Sequence, residues 1–428
     1  MNILMMTNTY KPIVGGLEKS VETFSKEFRK KGHRVIIVAP EFEGSVEEED
    51  VIRIPAIQHF NGSDFSVQLP VPGVLNDKLG DFRADIVHSH HPYLVGDAAL
   101  RLAYKYNAPL VFTHHTLYEQ NTHYVGEGEA LKRFVVELSV GYANLADQIF
   151  APSESVAKIL KERNVQTPIV VVPTGIDVNS FAQGDGLSVR NDFNIPGDAY
   201  VVGYAGRLAL EKNLEFLSQV VAIFLKRQPN AHFLVVGEGP SEEIIKTVFK
   251  KEGADSRLHF AGRLEGKKLV AAYHAMDVFA FASQSETQGL VLVEAMAAGV
   301  PVVAQDAPGV REVVEDKING RIISSEGLGD FTLALDWMAS QNKSTLQKIH
   351  EACLKTAKNF TVGKSVNLAL ETYACLGSEN FKRRNDDDEN PWLQTARVIK
   401  AQWELTKNLA KATSTMIAEA PPDKKSEP

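Results

Sequence analysis

Two glutamates, Glu286 and Glu294, are the side chains of this sequence most suited to chemistry. Glu286 lies in a polar loop, residues 283–288, after an apolar run over 278–282 that is typical of a strand buried on both faces. Glu294 lies within an apolar helix predicted over 289–298. Ligands of open α/β folds bind at the edge of the sheet to which such a loop belongs. The alternative is structural: Glu294 pairs with a core arginine, because an unpaired buried carboxylate is costly, and Glu286 caps the helix.

Two cations, Arg207 and Lys212, follow a strand predicted over 201–205 and precede a helix. Arginine offers a planar fork of donors and lysine a point charge. Together they could neutralise a nucleoside diphosphate as it leaves, without a divalent metal. The alternative is a solvated surface pair.

Glycines follow several of the predicted strands. Gly15 and Gly16 come after the first strand and open a helix, where backbone N–H groups can approach a phosphate or a sugar closely. Gly237 ends a later strand, and Arg263 and Leu264 follow the next one. All of these motifs also occur as ordinary turns.

Histidines crowd the ends of two strands in the first half of the chain, at His88, His90, His91, His114 and His115. Imidazole is a common metal ligand. However, no carboxylate or cysteine stands at clear ligand spacing beside them. The spacing therefore argues against a metal site at these histidines.

The elements that must position these residues alternate between apolar strands and helical patterns. Strands are predicted over 3–6, 34–39, 51–54, 85–88, 110–113, 148–151 and 169–172, and again over 201–205, 232–236, 258–261, 278–281, 302–304 and 321–323. This alternation predicts mainly parallel, doubly wound sheets. Because the pattern restarts after residue 200, we expect two Rossmann-like domains joined near residues 173–197.

Composition bounds the class of protein. A chain of 428 residues suggests two domains plus extensions. The formal charge of −8 argues against general nucleic-acid binding, and two cysteines near the C-terminus do not form a disulfide framework. The N-terminus lacks the basic start of a signal peptide, and no apolar stretch approaches the ~20 residues of a spanning helix. We expect a cytoplasmic protein and expect any membrane contact to be peripheral, at the inner face of the cytoplasmic membrane.

The segment from Glu286 onward resembles the E-x7-E motif of glycosyltransferase family 4, the retaining enzymes of the GT-B fold. The resemblance rests on the two glutamates, on Gly289, and on the run Ala-Met-Ala-Ala-Gly-Val-Pro-Val-Val at 295–303. The spacing of Arg207 and Lys212 is similar to the family's G-R-x4-K signature. The resemblance implies two Rossmann-like doubly wound domains facing an interdomain cleft. It also implies their bounds: an acceptor-binding domain over 1–180, a nucleotide-sugar-binding domain over 181–359, and a helix over 360–378 returning to the first domain. The resemblance does not cover residues 379–428, where the residue pattern predicts a charged linker, an amphipathic helix and a disordered tail.

The same resemblance implies the site. A nucleotide diphosphate sugar is the co-substrate, with no tightly bound cofactor and no obligatory metal. The residues implied in catalysis are His115, Arg207, Lys212 and Glu286. Those implied in donor binding are Gly15, Gly16, Gly237, Arg263, Leu264, Thr287, Gln288, Gly289, Leu290 and Glu294. Those implied on the acceptor side are His90, Tyr118, His123 and Tyr124.

The roles follow from the family pattern. Glu294 would hold the ribose hydroxyls, Arg207 and Lys212 the diphosphate, and Glu286 the sugar. No residue is an obvious covalent nucleophile, which favours a front-face displacement. Gln288 stands where most members carry Phe, and this variant resembles bacterial diacylglycerol glucosyltransferases. It implies transfer of α-glucose from UDP-glucose to diacylglycerol, with a phosphatidylinositol-type mannosyltransferase or a glycan-building enzyme as the alternative.

Two regions of the chain bear on the acceptor. An apolar stretch over 60–79 and a basic amphipathic stretch over 118–140 suit a lipid acceptor, or else form a covered core. A cationic, tryptophan-bearing helix predicted from Pro391 either lies in a membrane interface or packs back on the protein or on a second subunit.

Functions of two other classes fit the sequence less well. A dinucleotide-dependent dehydrogenase would need G-x-G-x-x-G after a first strand, and neither half has it. A non-catalytic sugar-nucleotide-binding protein could lose Glu286 or His115. Both are present, which favours an active enzyme.

Overall fold

The computed structural model describes residues 1–13, 15–57, 67–68, 72–120, 128–381 and 391–418. Its contacts divide the chain into two compact units. The first consists of Met1–Val172 together with Val366–Pro428, and the second of Pro173–Ser365.

The first unit is built on a parallel sheet. Its strands are β1 (Asn2–Met6), β2 (Arg34–Pro40), β3 (Val51–Ile54), β4 (Ala56–Ile57), β5 (Val67–Gln68), β6 (Ile86–Ser89), β7 (Leu110–Thr113), β8 (Gln148–Ala151) and β9 (Ile169–Val171). Seven of them pair in the order β3-β2-β1-β6-β7-β8-β9, and the short β4 and β5 pair antiparallel with each other. The register sets Ile3 beside Val35 and Ile86, so the apolar first strand lies in the middle, buried on both faces.

Helices α1 (Gly16–Lys30), α2 (Pro72–Leu79), α3 (Val95–Tyr106), α4 (Glu129–Ala143) and α5 (Glu154–Glu162) connect these strands. Helix α1 buries Val21, Phe24 and Phe28, which recur at helical spacing and so form one apolar stripe. The first unit therefore has the alternation of strand and helix that the sequence predicts.

The second unit repeats the plan. Its strands are β10 (Tyr200–Ala205), β11 (Ala231–Val236), β12 (Leu258–Phe260), β13 (Val278–Phe281), β14 (Val302–Gln305) and β15 (Gly320–Ile323), in the parallel order β12-β11-β10-β13-β14-β15. Its helices are α6 (Gly186–Asp192), α7 (Leu214–Arg227), α8 (Glu242–Glu252), α9 (Gly266–His274), α10 (Leu290–Ala297), α11 (Leu328–Ala339) and α12 (Lys343–Ala357). The strand order changes direction at β10 and β13, the kind of position where α/β folds bind ligands.

The unit β13–α10–β14 has the predicted strand, loop, helix and strand. Gly289 directly precedes α10 at φ +76°, and Gly299 follows the helix at φ +80°. Both adopt a left-handed conformation, which is available to glycine without steric cost. The strands β13 and β14 are buried throughout, as expected for apolar runs in a parallel sheet.

The stretch expected to join the domains, residues 173–197, is instead part of the second unit and contains α6. Arg190 of this helix is buried, and its guanidinium donates to the carbonyls of Ala275 and Ala199 at 3.0 and 2.9 Å and to Asp277 Oδ2 at 2.9 Å. A buried arginine with these acceptors attaches the segment to the second unit, and the chain passes from the first unit to the second at Val172 and Pro173.

Within the described ranges, α13 (Val362–Phe381) and α14 (Pro391–Ala418) follow α12. The ring of Tyr373 on α13 stacks on Phe150 of β8, with ring centroids 5.7 Å apart. Helix α14 packs on α3 and α4. This agrees with the alternative in which the C-terminal helix packs back on the protein. Among the helices of the described residues, none combines the length and apolarity needed to cross a membrane.

Candidate active site

The loops that follow β10, β11, β12, β13 and β14 lie at one edge of the second sheet, because parallel strands end at the same edge. This edge carries the donor residues expected in the second unit. They are Arg207 and Lys212 after β10, Gly237 after β11, Arg263 and Leu264 after β12, Glu286, Thr287 and Gln288 after β13, and Gly289, Leu290 and Glu294 at and within α10.

Glu286 is the centre of this edge. Lys212 Nζ lies 3.2 Å from Glu286 Oε2, and the Gly289 N–H donates to Glu286 Oε1 at 3.1 Å. Burial raises the pKa of the Glu286 carboxyl, but the charge of Lys212 and the N–H groups of Gly289 and Gln288 outweigh it, so the net shift is downward from 4.5. The carboxylate is therefore ionised at neutral pH and fixed through both oxygens.

Arg207 forms an ion pair with Glu211, one turn further along the same loop. About half of its side chain is exposed. Asn213, which ends the loop, adopts a left-handed conformation at φ +54° and donates to the Ala282 carbonyl at 3.4 Å. The structure thus holds two cations, Arg207 and Lys212, each beside a carboxylate, at the edge where a diphosphate was expected.

Gln288 binds the backbone of a distant residue. The Thr174 N–H donates to Gln288 Oε1 at 2.8 Å, and Gln288 Nε2 donates to the Thr174 carbonyl at 2.6 Å. The side chain is 5% exposed, so both ends of its amide are satisfied in a buried place. Gln288 therefore ties the Glu286 loop to the turn at the start of the second unit.

Gly309 supports the same loop, a role that sequence reasoning missed. Its N–H donates to the Glu286 carbonyl at 2.9 Å, and a Cβ at this position would lie 2.3 Å from the Gln288 nitrogen. The signal was available, since Pro308 and Gly309 follow a strand at the ligand edge.

Glu294 projects from α10 with a tyrosine as partner. The Tyr273 hydroxyl donates to Glu294 Oε2 at 2.8 Å. Burial, followed by the charge of Glu294, raises the pKa of Tyr273 well above 10.0, so the hydroxyl keeps its proton. Because this contact occupies one carboxylate oxygen, it orients the side chain within an apolar helix.

The remaining donor residues of the second unit form tight turns. Gly237 has φ +138°, and a Cβ there would meet the Gly206 carbonyl at 1.9 Å. Arg263 is exposed and pairs with Glu265 at 2.6 Å. The Gly237 N–H donates to the Gly262 carbonyl at 2.8 Å, which joins the ends of β11 and β12.

In the first unit, Gly15 and Gly16 open α1. Glu18 in the first turn of this helix is buried and accepts a hydrogen bond from the Thr9 hydroxyl. A Cβ on Gly15 would lie 2.6 Å from Glu18 Oε2, so glycine leaves room for that carboxylate.

Three histidines of the first unit, His88, His90 and His115, form one chain of adjacent rings. His90 Nδ1 and His115 Nε2 share a hydrogen bond of 2.8 Å, and the ring of His88 lies 4.2 Å from that of His90. His88 in turn contacts the Thr113 hydroxyl and the Tyr373 hydroxyl, both at 2.6 Å. Sequence reasoning missed Tyr373 because it lies on α13, 285 positions along the chain from His88.

These imidazoles are neutral. Burial lowers the pKa of His88 to about 3, and burial together with neighbouring rings lowers the pKa values of His90 and His115 well below 6.5. In the part of the chain that the structure describes, His90 Nε2 and the Tyr118 hydroxyl are buried without a hydrogen-bond partner. Such atoms are exceptions in folded proteins and suit a site that a ligand completes.

Two expected acceptor residues, His123 and Tyr124, lie outside the described residues. Within the described ranges, no group of three or more His, Cys, Asp or Glu side chains could hold a metal ion.

Two parallel α/β units with this loop arrangement define the GT-B class of glycosyltransferase folds. A solved structure of that kind, Anabaena Alr3699/HepE in complex with UDP and glucose, is similar with a TM-score of 0.72 at 21% identity, over 88% of this chain and 100% of that chain. This likeness shows the fold.

The sequence comparisons show the family. A model described as Glycosyltransferase Family 4 matches residues 14–180, and one described as Glycosyl transferases group 1 matches residues 188–359. The chain belongs to glycosyltransferase family 4 and is a glycosyltransferase.

Two curated relatives show the range within the family. The chain is 29% identical over 402 residues to the alpha-monoglucosyldiacylglycerol synthase of Streptococcus pneumoniae, covering 90% of this chain and 88% of that protein. It is 30% identical over 324 residues to the D-inositol 3-phosphate glycosyltransferase of Mycobacterium sp. (strain KMS), covering 73% of this chain and 71% of that protein.

Proposed function

We propose that this glycosyltransferase moves glucose from UDP-glucose to diacylglycerol at a membrane surface, with retention of the α configuration. The observation that carries the transfer reaction is the fixed pair of Lys212 and Glu286 beside Gly289. The relative of Streptococcus pneumoniae, similar over nine-tenths of this chain, supports the lipid acceptor.

The donor half of the reaction is assigned to the second unit. Glu294, oriented by the Tyr273 hydroxyl, binds the ribose hydroxyls of UDP. Arg207 and Lys212 bind the diphosphate, whose negative charge grows as the bond from the sugar carbon to the phosphate oxygen breaks. Because Glu211 and Glu286 hold these cations in place before the donor arrives, the site needs little reorganisation in the transition state.

The displacement takes place on one face of the sugar. The acceptor oxygen forms its bond to the sugar carbon on the side from which UDP departs, and the acceptor proton passes to the departing phosphate oxygen. The protein supplies charge stabilisation and positioning, and no covalent intermediate with a side chain is required.

The acceptor half is assigned to the first unit. His90 and His115 are neutral, so the pair can both donate and accept hydrogen bonds with hydroxyl groups. Among the described residues, His90 Nε2 and the Tyr118 hydroxyl have no hydrogen-bond partner, so both suit contacts with an acceptor hydroxyl.

A single assay tests the proposal. Purified protein is incubated with labelled UDP-glucose, UDP-galactose, UDP-N-acetylglucosamine or GDP-mannose, each with diacylglycerol vesicles, with plain vesicles, or with D-inositol 3-phosphate. We expect label in the organic phase only with UDP-glucose and diacylglycerol, and an α linkage by NMR of the product.

The other arms decide between the family's activities. Transfer to D-inositol 3-phosphate would replace the lipid acceptor by the one named for the mycobacterial relative. Label from GDP-mannose alone would replace the donor. Nucleotide binding without transfer in any arm would leave a sugar-nucleotide-binding protein.

A further inference from the structure

Helix α14 is fixed on the first unit in one orientation about its axis. Asn408 Nδ2 donates to the Leu138 carbonyl of α4 at 3.1 Å, and Arg101 of α3 donates to Gln402 Oε1 at 3.0 Å. Gly141 admits this contact, because a Cβ there would lie 1.7 Å from Asn408 Oδ1. Polar contacts to two helices therefore determine which face of α14 is turned outward.

Apart from Asn408, the inward face is apolar. Ala401, Leu405 and Ala412 are buried at spacings of four and seven residues, as expected for one stripe of a helix. The outward face carries large apolar side chains instead: Ile399 is 65% exposed and Trp403 is 62% exposed. These two residues lie one turn apart, so they are neighbours on the helix surface.

Lysines accompany this apolar pair. Lys400, Lys407 and Lys411 are exposed, whereas the whole chain has a net charge of −8. Lys407 pairs with Glu404 at 2.7 Å and Lys411 with Glu137 at 3.2 Å, but both lysines stay more than half exposed. Exposed ion pairs of this kind contribute little and leave the lysines able to meet an external anion.

We propose that the outward face of α14, formed by Ile399, Lys400, Trp403 and Lys407, docks on the anionic headgroups of a lipid membrane. Trp403 and Ile399 enter the interface, and the two lysines contact lipid phosphates. The core of a protein-protein interface is depleted of lysine, whereas a membrane interface suits an aromatic side chain flanked by lysines. The inference rests on the proposed function, since an enzyme acting on diacylglycerol must reach a bilayer.

Vesicle sedimentation with the full chain tests the docking without donor or diacylglycerol. Vesicles of phosphatidylglycerol and phosphatidylcholine in equal parts are compared with vesicles of phosphatidylcholine alone. We expect about tenfold stronger binding to the anionic vesicles, weakened by added salt. The double variants Ile399→Ser/Trp403→Ser and Lys400→Gln/Lys407→Gln should each bind about tenfold more weakly.

A matched control uses apolar side chains of similar exposure in the second unit. Leu187 is 65% exposed and Leu333 is 58% exposed, so Leu187→Ser/Leu333→Ser removes comparable apolar surface elsewhere. This control should bind vesicles as the wild type does, and thermal melts should show that all variants are folded. The proposal would be overturned if wild type and the α14 variants bound vesicles equally, or if wild type bound both kinds of vesicle equally. It would also be overturned if the protein self-associated without vesicles and the α14 variants abolished that self-association.

Failure of the docking and failure of the proposed function give different results. Loss of vesicle binding in the α14 variants, with transfer to detergent-dispersed diacylglycerol retained, supports both. Vesicle binding that depends on α14, without transfer to any lipid, supports the docking and rejects the proposed acceptor.

Discussion

Lys212 and Gly289 hold Glu286 through opposite oxygens, so its charge and its position can be separated by mutation. Glu286→Gln keeps the shape of the side chain but removes the charge that holds Lys212. Lys212→Ala removes the cation itself. Each should lower kcat for transfer about a hundredfold, roughly 2.7 kcal/mol of transition-state stabilisation, with the fold intact by circular dichroism.

A second ion pair of the same unit provides the control. Lys226 and Glu252 pair on its surface at 2.5 Å. Lys226→Ala and Glu252→Gln should leave kcat unchanged. Near-normal turnover in Glu286→Gln and Lys212→Ala together would reject the assignment of the site.

Gln288 permits a pH test of the contact to Thr174. In Gln288→Glu, an ionised carboxylate accepts from the Thr174 N–H but faces the Thr174 carbonyl, which it repels. A protonated carboxyl restores both hydrogen bonds, and burial raises its pKa. We expect kcat/KM of this variant, relative to wild type, to be low at pH 8 and to rise as the pH falls to 6.

Gln288→Met separates this positioning role from simple packing. It has similar length and no polar group, so its deficit should be the same at every pH. If Gln288→Glu and Gln288→Met have parallel pH profiles, the paired hydrogen bonds to Thr174 do not position the Glu286 loop.

At the scale of elements, the sequence predicts most of the fold but few of the contacts between its parts. Strands β3, β7, β8 and β13 have the predicted bounds, because apolar runs in parallel sheets are distinct. Helix α6 was missed, since its seven residues show little apolar periodicity. The pairs Gln288–Thr174 and Tyr373–His88 join residues 114 and 285 positions apart, and neither propensity nor spacing encodes such pairs.

The packing of α14 on α4 depends on one glycine, Gly141. Alanine at position 141 favours the helix by about 1 kcal/mol but places its Cβ on Asn408, and such overpacking typically costs about 1–3 kcal/mol. Gly141→Ala should therefore loosen α14, seen as faster hydrogen exchange over residues 391–418.

Helix α13 offers the matching control. A Cβ on Gly363 would meet no atom within 4 Å, so Gly363→Ala should leave the exchange of α14 unchanged. Equal exchange over α14 in Gly141→Ala and wild type would show that the Asn408 contact does not hold the helix.

For the whole molecule, buried histidines should make the first unit less stable to acid than the second. The first unit holds His88 and His91, whose pKa values burial lowers to about 3, and His114, whose pKa burial lowers to about 4. In the unfolded chain these groups bind protons near pH 6.5. The stability that their neutral forms provide is therefore fully present above pH 6.5 and is lost as the pH falls toward their folded values.

Each such histidine reduces the free energy of unfolding by up to about 1.4 kcal/mol per pH unit below 6.5. In the second unit, burial and the neighbouring ring of His232 lower the pKa of His259 to about 4.

We expect the first unit to lose hydrogen-exchange protection before the second as the pH falls from 7 to 5. Mass spectrometry of peptides from each unit would measure this order. The burial argument requires this order: if both units lost protection together, or if the second lost it first, the histidines would not govern acid stability. Transfer activity should fall with protection of the first unit, because His90 and His115 belong to the same stack of rings.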